Sequence, residues 1–340
     1  MVALYPLMFK PIYKPKLWGG GRFATLLNRE VPASTHLGES WEIADRPGDV
    51  SVVADGDLAG MPLSELRQAY PRELFGEMAG ECRDRFPLLL KFIDAEANLS
   101  LQVHPDNRFA LRHENDLGKN EAWFVMEASP GAKITRGFRA GATPDKIMRA
   151  IQQKRLEQLV ETFDVAKGET IFIPAGTLHG IGGGLMLAEI QQNSNVTYRV
   201  YDYDRSDHHG HKRELQIDKA LQVLSFKDIG APKLKAVKVE PLHYRLVLCD
   251  HFSLYQYVYR EPIHEYSIER FRILCNIEGH GTIISPEGMF EDIEYHPGTT
   301  ILIPASVTDF SLVPATHCVT LDIIPGKMLL KKGRKPAPLA

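Results

Sequence analysis

Cysteine is scarce and scattered in this sequence: Cys82, Cys249, Cys275 and Cys318, with no C-x-x-C pair. That excludes a disulfide-built scaffold and a thiolate zinc site, and fits reduced thiols in a cytoplasmic protein. No stretch approaches 18 consecutive apolar residues, so no membrane partner is expected. The opening MVALYPLMFKPIYKPK has too short an apolar run for a secretory signal and no small-residue cleavage site after it. Charge of one sign is lacking too. Forty Lys+Arg against 43 Asp+Glu leave a formal net charge of −3, which argues against a general polyanion binder and hence against a nucleic-acid partner. With 24% charged and 44% hydrophobic residues the chain is not disordered. Its 340 residues bury a core without help from metals, as one large domain or two modest ones.

What is present is written mostly in short strands set off by Gly, Pro, Asp and Asn. PLLLKFID (87–94), LSLQVHP (99–105), AWFVMEA (122–128), ETIFIPA (169–175) and VTYRVYDYD (196–204) are followed by RLVLCD (245–250), SLYQYVYR (253–260) and TTILIPA (299–305). Runs of this length, rich in β-branched and aromatic residues, predict a mainly β protein. Helical patterns are fewer. MPLSELRQAYPRELFGE (61–77) is interrupted by Pro71, and RELQIDKALQVLSF (213–226) is another candidate. ATPDKIMRAIQQKRLEQLVETF (142–163) has Thr143 and Pro144 as a start signal and an apolar face from Ile147, Ile151, Leu156 and Leu159.

An internal repeat organises the rest. GETIFIPAG (168–176) recurs as GTTILIPAS (298–306), and the strand and turn FVMEASPGAKI (124–134) recurs as LCNIEGHGTII (274–284). The extra residues of the first copy are the helix expected near 143–163. The pattern G-x5-P-x-G resembles the second motif of the cupins, which are double-sheet jelly rolls. The expectation is two cupin-like jelly-roll β-barrels with helical insertions in the first: residues 1–238 as a catalytic metal-binding domain and 239–340 as a degenerate C-terminal β domain.

Four residues of the first copy have the character of metal ligands. Gln102 and His104 are two apart on a strand and so share a face. Glu121 opens the next strand, and His179 follows PAGTL. Two imidazoles, one carboxylate and one amide oxygen suit Zn²⁺ or a similar first-row cation. Only Glu121 offsets the ion's charge, so the site stays at about +1 and Lewis acidic, which favours catalysis over a structural role. A lone strand histidine is more often a core residue than a ligand, but this set on successive strands is far more specific. In the second copy Asp309 stands where His179 would be, the Glu121 position falls near Phe271, and no Gln-x-His precedes it. One metal ion per chain is therefore expected.

Other conspicuous residues read as ordinary. His208, His209 and His211 sit in a polar loop and are expected to be solvated. HGIGGG (179–184) and WGGGR (18–22) lack the Lys-Ser/Thr of a phosphate-binding loop and read as turns near the pocket.

Taken together, KLWGG (16–20), GESWEIAD (38–45), LLKFIDA (89–95), LSLQVHPD (99–106), KNEAWF (119–124), IPAGTLHGIGGG (173–184), EIQQNSNVTYRVYDYDR (189–205) and RELQIDKAL (213–221) resemble the type I phosphomannose isomerases in their short bacterial form. The resemblance runs nearly end to end. It implies interconversion of mannose 6-phosphate and fructose 6-phosphate with one zinc on a cupin barrel, through a cis-enediol. The zinc ligands it implies are Gln102, His104, Glu121 and His179. The active-site arginine falls on Arg199, with Lys119 and Glu189 as acid–base candidates, and phosphate contact falls on Lys91 and Ser100. If 196–204 is one regular strand, Arg199 shares a face with Tyr201 and Tyr203. The expected partner is a small sugar phosphate, and the expected state a monomer or weak homo-oligomer. A cupin metal-dependent oxygenase and a non-catalytic sugar-binding cupin are the alternatives. The first would use three His at an open iron site, and the second would not need a basic set beside a full ligand set.

Overall fold

The computed structural model describes residues 3–326 except 33–35, 208, 228 and 267. They group into two compact units, one drawn from residues 11–44 and 88–235, the other from residues 3–10, 45–87 and 236–326.

The 11–44/88–235 unit is a pair of antiparallel sheets. The larger runs Thr170–Ile173, Glu121–Ala128, Leu185–Gln192, Leu88–Ala95, Ile12–Gly20, Leu37–Ile43. The smaller runs Val160–Asp164, Lys133–Phe138, His179–Ile181, Leu101–Val103, Tyr198–Tyr201. A core that includes Trp18, Ile93, Trp123, Val125, Ile134, Ile171 and Ile181 draws on strands of both sheets. The outer face of the smaller sheet is covered as well. Leu101, Val103, Tyr198 and Val200 pack with Ile147 of the helix Pro144–Gln152 and Ala220 of the helix Ile217–Val223. Strand alternation then turns the residues between them, Gln102 and Arg199, the other way.

The 3–10/45–87/236–326 unit is the second β copy. Its seven-stranded sheet runs Leu7–Met8, Thr300–Ile303, Arg272–Glu278, Cys318–Pro325, Phe252–Tyr259, His243–Leu248, Val237–Glu240, and a four-stranded sheet holds Ile263–Tyr266, Asp309–Pro314, Gly281–Ile284, Ile293–Tyr295. The chain thus divides differently from 1–238 and 239–340. The junction at 236 lies close to the expected one, but residues 3–10 and 45–87 group with the C-terminal copy. Leu7 and Met8 pair with Leu302 and Ile301, and the helix Pro71–Phe75 accepts backbone bonds from Ala305 and Ser306. An apolar stretch as short as LYPLMF carries no local signal of which sheet edge it will join.

Three expected elements are shorter than the sequence pattern suggested. The helix at 142–163 ends at Gln152, because Lys154 turns left-handed at φ 56°, and Val160–Asp164 is a strand paired with Lys133–Phe138. Its start is as read, with Thr143 Oγ1 capping the Lys146 amide and Pro144 in the first turn. The 213–226 helix contracts to Ile217–Val223. The strand at 196–204 contracts to Tyr198–Tyr201, with a register shift after Arg199 and left-handed backbone at Tyr203 and Asp204, so Tyr203 does not continue the Arg199 face. In the 61–77 segment Pro71 opens a second helix, as its fixed φ allows.

Candidate metal centre

Strand register assembles the site. His179 and Arg199 both face Gln102 across the smaller sheet, and in the larger sheet Glu189 faces Lys91 on one side and Trp123 on the other. Glu121 is the first residue of its strand, opposite Ile173 and Gln191. His104 lies just past Leu101–Val103, where its carbonyl accepts the amide of Gly176. Gly176 holds a left-handed φ of 84°, and a side chain there would meet the Val223 carbonyl at 2.9 Å; this is the turn that delivers His179.

His104, Glu121 and His179 are buried, and among the described residues they form a group of metal-ligating side chains whose ligand atoms all lie within 4.8 Å of one another. His104 Nε2 is 3.5 Å from Glu121 Oε2, and His179 Nε2 is 3.3 Å from Glu121 Oε1. Each imidazole spends its Nδ1–H on a backbone carbonyl, His104 on Val196 at 2.8 Å and His179 on Thr177 at 2.9 Å. That fixes the tautomer and leaves both Nε2 lone pairs turned inward, the arrangement of a metal-binding histidine. His104 Nε2 and Glu121 Oε1 are buried without a hydrogen-bond partner. Orphaned acceptors of this kind are costly unless something electrophilic meets them. Gln102 lies beside the three, its Nε2 at 3.4 Å from His179 Nε2 and its Oε1 accepting from Ser100 Oγ at 3.2 Å. An amide ligates through oxygen, so ligation by Gln102 involves turning the amide over, after which Ser100 Oγ accepts from Nε2.

Burial depresses both imidazoles, His104 well below its ordinary value and His179 to about 4, with Lys119 adding to the effect on each. They are neutral at pH 7, as ligands must be. Burial pushes the Glu121 carboxyl up, against the pull of Lys119. Lys119 Nζ is 2.7 Å from Glu121 Oε2 and 3.5 Å from Glu189 Oε1. Burial alone would lower its pKa, but these two carboxylates outweigh it and hold the ammonium at about 12. For Glu189, burial is likewise outweighed by Lys119 and Lys91, so its carboxylate is held below the usual range, and Trp123 Nε1 donates to Oε2 at 3.0 Å.

Gln102 and Lys119, which touch His179 and Glu121, line a cavity of about 320 Å³ together with Lys91, Ser100, Glu189 and Arg199. Most of the residues named from the sequence therefore meet in one place. Lys91 is buried between Glu189 (3.3 Å) and Glu39 (3.9 Å), so its charge is compensated within the protein. Ser100 Oγ accepts from Arg199 Nε at 3.3 Å. Sequence reasoning did not single out Lys16, Trp18, Glu39, Asn195, Thr197 or Arg213, which also line the cavity. Glu39 accepts from Trp41 Nε1 at 2.7 Å and pairs with Lys16 at 3.3 Å. Its one sequence signal is alternation: the acid in GESWEI stands two residues before a tryptophan on the same strand face. His209 and His211 lie in a solvent-facing turn built on Asp207, and His208 lies outside the described residues.

Among the described residues the second copy places other side chains at the ligand positions. Ile173 faces Glu121, and its counterpart Ile303 faces Arg272, the neighbour of Phe271. His179 corresponds to Asp309, and Gln102 to Tyr266, which faces Asp309. Asp322, at the position of Glu189, binds Arg272 through Nη2 at 2.8 Å and Nε at 3.1 Å, and Glu265 binds Nη1 at 2.7 Å. A buried guanidinium already fills the place of a cation.

Comparison with known proteins gives a consistent result. Residues 7–122 match the family described as phosphomannose isomerase type I, catalytic domain. Mannose-6-phosphate isomerase ManA of Bacillus subtilis is 35% identical, over 92% of this chain and 98% of that protein, and the mannose-6-phosphate isomerase of Streptococcus mutans is 42% identical over 67% and 69%. The crystal structure of the mannose 6-phosphate isomerase from Bacillus subtilis superposes with a TM-score of 0.85 at 30% identity, covering 94% of this chain and 99% of that one. The apo enzyme from Salmonella typhimurium, at 15% identity and a TM-score of 0.72, shares the fold.

Proposed function

The chain belongs to the type I phosphomannose isomerases, and from that membership and its cavity we propose that it interconverts mannose 6-phosphate and fructose 6-phosphate, with one zinc ion held by Gln102, His104, Glu121 and His179. The observation that carries the metal is the pair of buried, unpartnered acceptors, His104 Nε2 and Glu121 Oε1, turned toward His179 Nε2. Two imidazoles with one carboxylate favour zinc over the hard, all-oxygen cations. When bound, the ion supplies Lewis acidity to the sugar's C1–C2 oxygens.

The chain's own residues divide the proton work. Glu189 is ionised and Lys119 protonated, so Glu189 is the base and Lys119 the acid. Glu189 removes the proton from C2 of the open-chain aldose while Lys119 protonates O1, giving the cis-enediol. Glu189 then returns its proton to C1, and the O2 proton goes back to Lys119 to leave the C2 ketone. Trp123 holds Glu189 in place through Oε2, leaving Oε1 for the chemistry. Arg199, across the sheet from Gln102, stabilises charge developing on the sugar oxygens. Ser100 binds the substrate from the cavity wall, and Lys91, 3.3 Å from Glu189, helps keep that carboxylate ionised.

The test is a coupled assay of purified protein with mannose 6-phosphate in D₂O. Turnover is expected with deuterium at C1 of fructose 6-phosphate in those cycles in which the proton on Glu189 exchanges with solvent before its return. Turnover with no exchange even after many forward and reverse cycles would favour direct hydride transfer over the enediol, and no turnover would remove the activity itself.

A further inference from the structure

The cavity is electrically lopsided. Its inner part sets Glu39, Glu121 and Glu189 against Lys91 and Lys119. Its other part holds Arg199 and Arg213, with Arg205 behind them on a shared carboxylate. Asp202, itself buried, accepts from Arg213 Nε at 2.8 Å and from Arg213 Nη2, and also from Arg205 Nη2 at 2.6 Å. Arg199 forms no ion pair among the described residues: its Nε bonds Ser100 Oγ and its Nη1 the Glu214 carbonyl at 3.1 Å. One carboxylate thus pairs with two guanidiniums, and the third, Arg199, has none. The excess of about two positive charges, partly withdrawn from water, is an unfavourable arrangement for the empty protein. A dianion relieves it. Arg213 Nη1 donates to nothing among the described residues, and a guanidinium fixed by a carboxylate on one edge presents its remaining N–H groups in a geometry suited to phosphate oxygens.

Resting on the isomerase reading, we propose that Arg213, positioned by Asp202 and acting beside Arg199, binds the phosphate of the substrate, in place of Lys91. Lys91 is already enclosed by Glu189 and Glu39, and a phosphate arriving there meets two carboxylates. Asp202 is a positioning residue whose work is to aim Arg213.

The test combines steady-state kinetics on mannose 6-phosphate with calorimetric binding of inorganic phosphate to the metal-loaded protein. Arg213→Gln is expected to raise KM about tenfold to a hundredfold and weaken phosphate in parallel, as loss of charge-assisted hydrogen bonds does. Its kcat should change by less than about threefold, because the phosphate is a remote handle contributing uniform binding. Arg213→Lys keeps the charge without the fork and should fall between Arg213→Gln and the native protein. Asp202→Asn should raise KM by itself but add little on top of Arg213→Gln, since the two act as one unit. The proposal is overturned if Arg213→Gln leaves KM and phosphate affinity within about twofold of native, or if Lys91→Gln produces the KM loss instead. Should the native protein not isomerise mannose 6-phosphate, the functional reading fails, while phosphate calorimetry still decides the role of Arg213.

Discussion

Trp123 donates its indole N–H to Glu189 at 3.0 Å, and its ring stands edge-on to His179 at 5.5 Å between centroids. One fully buried side chain thus orients both the proposed base and a proposed metal ligand. Trp123→Phe keeps the ring contact and removes the donor. A hydrogen bond to a buried charge is worth about 1.5–3 kcal/mol, so kcat should fall about tenfold or more. Bound metal should remain at the native level; its loss in this variant would mean that the indole serves His179 rather than Glu189.

Arg199→Ala should lower kcat by about 10²–10³, the cost of removing a donor to transition-state charge. Metal content should be unaffected. Native turnover in this variant would reduce Arg199 to a packing residue of the smaller sheet.

Glu39 gives the acid limb of the stability profile. Burial raises its carboxyl, but Lys91, Lys16 and the Trp41 indole outweigh that and hold it at about 2 against an ordinary 4.5. Its folded pKa lies below its unfolded one, so its contribution is complete above the unfolded value and is lost as pH falls toward the folded one. The shift corresponds to roughly 3 kcal/mol. Urea denaturation between neutral pH and the onset of acid unfolding should show Glu39→Gln losing less stability per pH unit than the native protein. Parallel profiles would mean that Glu39 is not held ionised.

That Gln102, His104, Glu121 and His179 gather in one place was legible in the sequence because each part is local: two residues apart on one strand for Gln102 and His104, a strand start for Glu121, a Pro-Ala-Gly turn for His179. The β class was legible for the same reason, through alternation and repeat. Glu39, Lys16 and Arg213 were not, because they reach the cavity from segments far apart in the chain and none stands at a spacing that marks a ligand or a base. The assignment of residues 3–10 and 45–87 to the second copy depends on edge pairing such as Leu7 with Leu302, which no local pattern encodes. The long helix failed at Lys154, where apolar spacing compatible with a helix continues through Leu156 and Leu159 although the backbone has already reversed.

A zinc titration of metal-stripped protein, read by conversion of mannose 6-phosphate to fructose 6-phosphate, bears most directly on the account. The stripped chain should be inactive, activity should rise linearly and break at about one equivalent per chain, and His104→Ala should fail to recover. Full activity without metal, or a break at two equivalents, would contradict a single catalytic ion held by Gln102, His104, Glu121 and His179.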